Sequence, residues 1–156
     1  MTLAYAPGVA YYLFNLVRGD AAKGSALLEQ AAGFLRVRMW GIDADEHHRN
    51  ALASGDLVLI YLGAPQREFI ARAALASAAH DWTPSEARVY PGDSPGGVLL
   101  ARVEEWDPPV PMNTVLSQID PAGNAKAEFP TGVVRITAHE YETAIAVAAG
   151  RAPSTG

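Results

Sequence analysis

The sequence contains no cysteine, which excludes disulfide bonds, thiol catalysis and cysteine metal ligands. It also lacks an apolar run of about 18 residues, so we expect no helix that crosses a membrane. Its beginning shows no basic stretch followed by an apolar core, so no signal peptide is expected. Together these absences predict a soluble protein of the cytoplasm.

Positive charge is scarce as well. The 12 Lys and Arg residues are outnumbered by 17 Asp and Glu, which gives a formal net charge of -5. Non-specific binding to long nucleic acid normally needs a basic face and is therefore not expected, whereas recognition of one nucleotide in a pocket stays open. With 156 residues, 49 % of them apolar, we expect one domain at 1–150 and a loose tail at 151–156.

Apolar patterns along the chain predict both strands and helices. Residues 57–62 have no polar member, which is typical of a strand buried on both faces. The alanine content of 68–78 favours a helix, but its alternation permits a strand, and pairing back on 57–62 is the simpler topology. Strands are predicted over 9–16, 35–40, 57–62, 68–78, 98–106 and 133–136, and helices over 20–32, 112–119 and 138–149.

Turn and capping residues predict where these elements end. Gly33 is a natural stop for the first helix, and the Asp-Pro-Pro stretch after residue 106 should end a strand. Thr137 and Glu140 have the spacing of a capping box at the start of the last helix. Loops are expected at 43–53, with a helical turn, at 81–97 and at 120–130. Five or six strands and two or three helices, not in strict alternation, indicate an α+β fold with a strongly bent mixed sheet or small open barrel.

The segment from Arg36 to Ile42 is the first candidate site. Alternation over 35–40 predicts a strand that presents Arg36, Arg38 and Trp40 on one face. Trp40 is followed by Gly41 and then by a polar loop. An exposed aromatic ring beside small and polar residues is a plausible wall for a small ligand.

An ordered set of short motifs resembles the EVE domain, a member of the PUA-like superfamily that also contains YTH and ASCH domains. The resemblance covers about residues 8–148. The motifs are Tyr11-Tyr12-Leu13-Phe14, Trp40-Gly41, Arg49-Asn50, Gly55-Asp56 with the apolar run to Tyr61, Phe69-Ile70-Ala71-Arg72-Ala73, the strand from Val98 to Trp106, and Gly132 to Thr137 before a Glu-Tyr helix.

This resemblance implies a five- or six-stranded bent sheet or open barrel flanked by helices. It also implies binding rather than catalysis: a pocket that accepts a flipped, modified base of DNA or RNA, such as a methylated cytosine or adenine. Trp40, Gly41 and Ile42 match the family's pocket segment. Asn50, after Arg49, is similar to an Arg-Asn pair of the family, although the link from Asn50 to Gly55 is shorter here.

A pocket for a flipped base needs particular groups. Aromatic stacking contributes roughly 1–3 kcal/mol per base, and an apolar niche for a methyl group about 0.8 kcal/mol. Besides Trp40, Gly41 and Ile42, the candidates for the pocket are Asn50, Phe14, Tyr12, Trp82 and Trp106. For each of these aromatic residues the alternative is a role in core packing, which is the more frequent role for Phe14, Tyr12 and Trp106 at such positions. The candidates for phosphate contacts are Arg36, Arg38 and Arg49.

Other functions are less well supported by the sequence. Asp43, Asp45, His47 and His48 could suggest a metal, but adjacent histidines project in different directions and no third ligand has a recognised spacing. No Gly-x-Ser-x-Gly motif is present, and the glycine-rich stretch at 92–97 lacks the Lys-Ser/Thr of a P-loop. We therefore expect no enzyme, metal or cofactor. The alternative function is a small-metabolite sensor or protein-interaction module without nucleic-acid binding.

Overall fold

The computed structural model of the protein describes residues 9–16, 24–63, 66–119 and 132–150. The predicted loop at 120–130 and the predicted tail at 151–156 lie outside these ranges. The strands are β1 Tyr11–Leu16, β2 Met39–Gly41, β3 Leu57–Leu62, β4 Glu68–Leu75, β5 His80–Asp81, β6 Gly96–Pro111 and β7 Gly132–Ile136. The helices are α1 Gly24–Val37, α2 Pro84–Val89, α3 Met112–Ile119 and α4 Ala138–Gly150, with a 3₁₀ turn at Arg49–Ala51.

The strands form one curled mixed sheet in the order β2-β6-β4-β3-β1-β7, and β5 pairs with β6. Only the β1–β3 ladder is parallel among the pairs in the described residues. The predicted α+β fold with a bent mixed sheet is confirmed. The described residues hold seven strands and four helices, more than predicted, because the expected loop at 81–97 contains the end of β5 and all of α2. A capping box of Thr83 and Glu86 starts that short helix.

The two faces of the sheet are covered by different helices. Strand β3 shows the division, because Val58 and Ile60 pack in one hydrophobic cluster with α1, whereas Leu59 and Tyr61 pack in a second cluster with α3 and α4. Burial of this strand on both faces is thus confirmed. Strand β4 pairs antiparallel with β3, which confirms the strand interpretation of this alanine-rich segment.

Helix α1 continues past Gly33, so the predicted end of the helix was wrong. Phe34 and Leu35 are buried on the helix face that covers the sheet. Burying a large apolar side chain contributes about 1.5–3 kcal/mol, which exceeds the roughly 1 kcal/mol that a glycine costs inside a helix. The helix is followed by Arg38, whose positive φ of 59° reverses the chain and whose N–H donates to the carbonyl of Leu35 at 3.1 Å.

The strand predicted over 35–40 is correspondingly wrong in its first half. Arg36 lies in the last turn of α1, Arg38 in the connection, and only Met39–Gly41 form strand β2. Arg36, Arg38 and Trp40 therefore do not share a strand face. Alternation over so few residues did not distinguish the end of an amphipathic helix from a strand.

Strand β6 continues to Pro111, so the predicted stop after residue 106 was also wrong. The register between β4 and β6 shifts between the pairs Ala71–Glu105 and Phe69–Val110. Pro108 and Pro109 fall in this irregular stretch, where their missing N–H groups interrupt no paired position.

The described elements after β6 follow the prediction. Helix α3 occupies the predicted range, and β7 leads directly to α4. The capping box is present, since Glu140 donates its backbone N–H to Thr137 Oγ1 at 3.0 Å and accepts from the Thr137 N–H at 2.8 Å. Across the described ranges, no helix combines the length and apolar character needed to cross a bilayer.

Candidate functional site

A cavity of about 390 Å³ opens beside the end of β1, between α1, β2, the segment after α2 and the start of β7. Its apolar lining comes from Leu16, Phe34, Trp40, Ile42, Tyr90 and Val133. Its polar lining comes from Asn15, Gln30, Asp43, Glu46, Asp93 and Ser94, and two glycines, Gly41 and Gly132, complete it. A volume of this size lies at the lower end of the range for small-molecule sites, so the cavity suits one compact ligand.

Three aromatic rings form one wall of the cavity. The ring of Phe34 meets Trp40 edge-on at 5.2 Å between centroids, and it stacks on Tyr90 at 5.2 Å with planes inclined by 17°. Two more rings support this wall from behind: Phe14 stacks on Trp40 at 6.0 Å, and Trp82 packs on Tyr90 at 4.9 Å. Because each ring is held by another, the wall is preorganised.

Glycines allow the backbone at Trp40 to approach its neighbours closely. A Cβ atom at Gly41 would collide with the Tyr90 hydroxyl and lie 2.6 Å from Ser94 Oγ. On the adjacent strand β6, a Cβ atom at Gly97 would collide with the Trp40 carbonyl. The Trp-Gly pair therefore sets how near the segment after α2 can lie to β2.

The hydroxyl of Tyr90 is the polar end of the aromatic wall. Burial raises its pKa above the ordinary value, and the nearby Asp93 and Asp43 add to this, while hydrogen bonds with the Gly41 backbone and Ser94 act in the opposite direction. Tyr90 consequently remains protonated at neutral pH and can both donate and accept a hydrogen bond.

Glu46 connects the polar loop after β2 to the first residues of β7. Its Oε1 accepts a hydrogen bond from the Val133 N–H at 3.4 Å. Gly132 has a positive φ of 85°, and a Cβ atom there would collide with the same carboxylate oxygen. A glycine at this position therefore allows the carboxylate to reach the cavity.

No protein-family model matches the sequence, and no curated protein matches it. Several solved structures do share its fold. Protein Atu2648 from Agrobacterium tumefaciens superimposes with a TM-score of 0.58 at 16 % identity, covering 95 % of this chain and 99 % of that one. The ASCH protein of Zymomonas mobilis superimposes with a TM-score of 0.52 at 13 % identity, covering 88 % of this chain and 95 % of that one. The N-terminal domain of McrB from Staphylothermus marinus superimposes with a TM-score of 0.51 at 14 % identity, covering 88 % of this chain and 94 % of that one. The fold is PUA-like.

Within this PUA-like fold, Trp40, Gly41 and Ile42 all line the cavity. Trp40 is only 5 % exposed, so the expectation of an exposed ring was wrong. Phe34 and Phe14 cover most of its ring, so only a small part of Trp40 borders the cavity.

Three other predicted aromatic residues lie behind or beside the cavity lining. Phe14 stacks on Trp40, and Trp82 packs on Tyr90 while its indole N–H donates to the Ser94 carbonyl at 3.0 Å. Tyr12 is fully buried, and the Arg135 guanidinium lies 5.5 Å from the centre of its ring. Phe14 and Trp82 thus support the wall, whereas Tyr12 belongs to the same hydrophobic cluster but does not line the cavity.

Trp106 is not brought to the cavity. It is buried in the second hydrophobic cluster with Tyr61 and Phe69, on the side of the sheet that α3 and α4 cover. The register between β4 and β6 shifts between the pairs Ala74–Ala101 and Arg72–Glu104, and an extra residue in one strand turns the side chains that follow toward the opposite face of the sheet.

The predicted polar contacts are absent from the lining too. Asn50 is exposed on the 3₁₀ turn, and Arg49 pairs with Asp81 through Nη2 and Oδ1 at 3.3 Å. Arg36 and Arg38 are exposed outside the cavity. Within the described ranges, no three His, Asp or Glu side chains are arranged to hold a metal ion.

Most of the polar lining and two of the three rings in the wall are residues that the sequence did not predict for the site. Phe34 follows a glycine that was predicted to end α1, so its place on a helix face was not recognised. Tyr90 stands in a stretch that was read as a loop. One usable signal existed: Trp82 and Tyr90 in the same segment marked it as more than a connection.

Proposed function

We propose that this chain is a non-catalytic module that binds nucleic acid by taking a modified base into the cavity beside Trp40. The observation that carries the proposal is the preorganised wall of Phe34, Trp40 and Tyr90. The PUA-like fold and the ordered motifs that resemble EVE domains support it. Membership of the EVE family is part of the proposal.

The energetics of base flipping are compatible with such a cavity. Removing a base from its stack costs a few kcal/mol, least for a modified or single-stranded base. Stacking on an aromatic side chain returns roughly 1–3 kcal/mol, and an apolar niche beside Ile42 would add about 0.8 kcal/mol for one methyl group. The free energy of binding is favourable only when stacking and burial of the methyl group both contribute. This requirement is the basis for selecting a modified base over an unmodified one.

Polar groups at the edge of the cavity can recognise the base. Gln30 offers an amide that both donates and accepts, and Ser94 and Tyr90 offer hydroxyl groups. Asn50 was the sequence-based candidate for this polar contact with the base, and the lining residues Gln30, Ser94 and Tyr90 take its place. Binding through such contacts requires no reacting group, which accords with the binding function of the family that the sequence resembles.

Phosphate contacts would come from outside the cavity. Arg36 and Arg38 are exposed at the end of α1, just before the strand that carries Trp40. A strand of nucleic acid whose base enters the cavity could pass them. With so few cations, the affinity would depend only moderately on salt, with a slope of about -0.7 to -0.9 per phosphate contact in a plot of log K against log salt.

The negative charge of the cavity favours one alternative ligand, a small metabolite, over a nucleic acid. Asp43, Glu46 and Asp93 line it, and the net charge of the chain is -5. A small metabolite without phosphate groups would avoid repulsion by these carboxylates. Its affinity would be nearly independent of salt, which distinguishes it from a nucleic acid.

A blocking variant tests the proposal. Gln30→Trp places a large ring at the cavity mouth, and Leu28→Trp places the same ring on α1 at an exposed position outside the lining. Fluorescence anisotropy should show wild type and Leu28→Trp preferring an oligonucleotide with a methylated base over the unmodified one, and Gln30→Trp losing that preference. Equal affinity of wild type for all modified and unmodified oligonucleotides would refute the proposal.

A further inference from the structure

The cavity beside Trp40 is distinctly acidic. Its described lining includes Asp43, Glu46 and Asp93 but no Lys, Arg or His. Asp43 and Asp93 are exposed lining residues, and both act electrostatically on the Tyr90 hydroxyl. Glu46 is half-buried, with one carboxylate oxygen engaged by the backbone of β7. A ligand inside is therefore exposed to negative charge from three side chains on two chain segments, the loop after β2 and the segment after α2.

The other wall of the cavity also favours positive charge. The faces of aromatic rings carry negative electrostatic potential, and a cation over a Trp or Tyr ring is attracted by it. Trp40, Phe34 and Tyr90 supply such rings next to the carboxylates. A phosphate group or an acceptor-rich neutral ring would be repelled by the same arrangement, because the partly enclosed site screens charge less than bulk water does.

We propose that this cavity selects a flat heteroaromatic ring that carries a positive charge. Among nucleobases, this is the chemistry of a base methylated on a ring nitrogen, such as N3-methylcytosine, N1-methyladenine or N7-methylguanine. The aromatic wall stacks on the ring, and the carboxylates of the lining neutralise its charge. The inference rests on the proposed function for the source of the ring in a nucleic-acid strand, but a free nucleoside presents the same ring.

Two isomeric bases make a matched pair of probes. N3-methylcytosine and C5-methylcytosine each carry one added methyl group, but only the first is a cation at neutral pH. Each is placed at one position of the same single-stranded oligonucleotide, and the free nucleosides N3-methylcytidine and C5-methylcytidine form the second arm. Affinities are measured by calorimetry or anisotropy with the full chain at neutral pH and fixed salt.

The cationic isomer should bind wild type at least about tenfold more tightly than the neutral isomer. In Asp43→Asn with Asp93→Asn, this ratio should fall toward one. Glu105→Gln with Glu142→Gln is the control, because it removes the same charge from exposed positions outside the cavity and should keep the ratio.

The arms separate this inference from the proposed function. Selective binding of the cationic nucleoside without binding of either oligonucleotide supports the charge selectivity and contradicts the nucleic-acid proposal. Equal binding of both isomers, or a preference for the neutral one, overturns the inference while leaving modified-base binding intact. No binding of any of the four probes, or a ratio unchanged when Asp43 and Asp93 are neutralised, also overturns it.

Discussion

The ring of Phe34 stacks on the ring of Tyr90, with centroids 5.2 Å apart and planes inclined by 17°. This contact joins the last turn of α1 to the segment that follows α2, which is more than 50 residues later in the chain. Trp40 is joined to this pair of rings through its edge-on contact with Phe34. The wall of the cavity therefore depends on a helix that continues past Gly33.

Gly33→Ala should stabilise the protein. The position lies inside α1, where alanine is favoured over glycine by about 0.5–1 kcal/mol, and an added Cβ would make only an ordinary contact with Pro91 at 3.9 Å. Urea denaturation should show the midpoint rising with an unchanged slope. Gly55→Ala is the comparison: it also has open space, but its φ of 95° disfavours a side chain, so it should lower stability. Destabilisation by Gly33→Ala would contradict the continuous helix.

Removing the Tyr90 ring should damage the wall more than removing its hydroxyl. Tyr90→Ala deletes a buried ring that supports Phe34 and Trp82, and should cost about 3 kcal/mol of unfolding free energy. Tyr90→Phe loses only the hydrogen bonds of the hydroxyl, worth about 1 kcal/mol. Chemical denaturation measures both. Equal costs would mean that the ring makes no important packing contacts.

Protonation of His80 should stabilise the fold. A hydrogen bond to the Ala78 carbonyl raises its pKa above 6.5, and Glu86 adds to this through a contact of Nε2 with Oε1 at 3.0 Å, while burial and Arg49 act in the opposite direction. Because the folded-state pKa is the higher one, this stability is present below 6.5 and is lost as pH rises through the folded value. Between about pH 5 and pH 8, wild type should therefore lose more stability than His80→Gln.

A second variant separates the contributions of Ala78 and Glu86 to the raised pKa of His80. Glu86→Gln can keep the capping box with Thr83, since glutamine also serves in it, but removes the charge beside His80. NMR titration should show the pKa of His80 lowered part of the way toward 6.5, because the bond to Ala78 remains. An unchanged titration would exclude Glu86 as a cause.

The parts of the fold that sequence predicted best have strong local signals. Residues 57–62 are uniformly apolar, and Thr137 and Glu140 have the spacing of a capping box; both features are present in the structure. Asp56 of the Gly-Asp motif has a structural role, because its two carboxylate oxygens accept from the N–H groups of Ala10 and Ala53, each at 3.0 Å.

The candidate site was harder to predict, because it is assembled from segments that are distant in sequence. Trp40 and Gly41 were recognised from their resemblance to a family segment. Phe34 and Tyr90 were not, since their roles follow from how α1 and the segment after α2 pack together. Trp106 was one of the aromatic candidates for the same pocket as Trp40, but the structure places the two rings in different hydrophobic clusters.

The central claim is that a modified base enters the cavity beside Trp40, and the three tryptophans allow a direct test. Their indole N–H signals, together with the Gly41 amide, can be followed by NMR while an oligonucleotide with a methylated base is added. The account predicts that the signals of Trp40 and Gly41 shift and saturate together, while that of Trp106 stays in place. Saturable binding that shifts Trp106 and leaves Trp40 and Gly41 unchanged would contradict it, as would the absence of any shift.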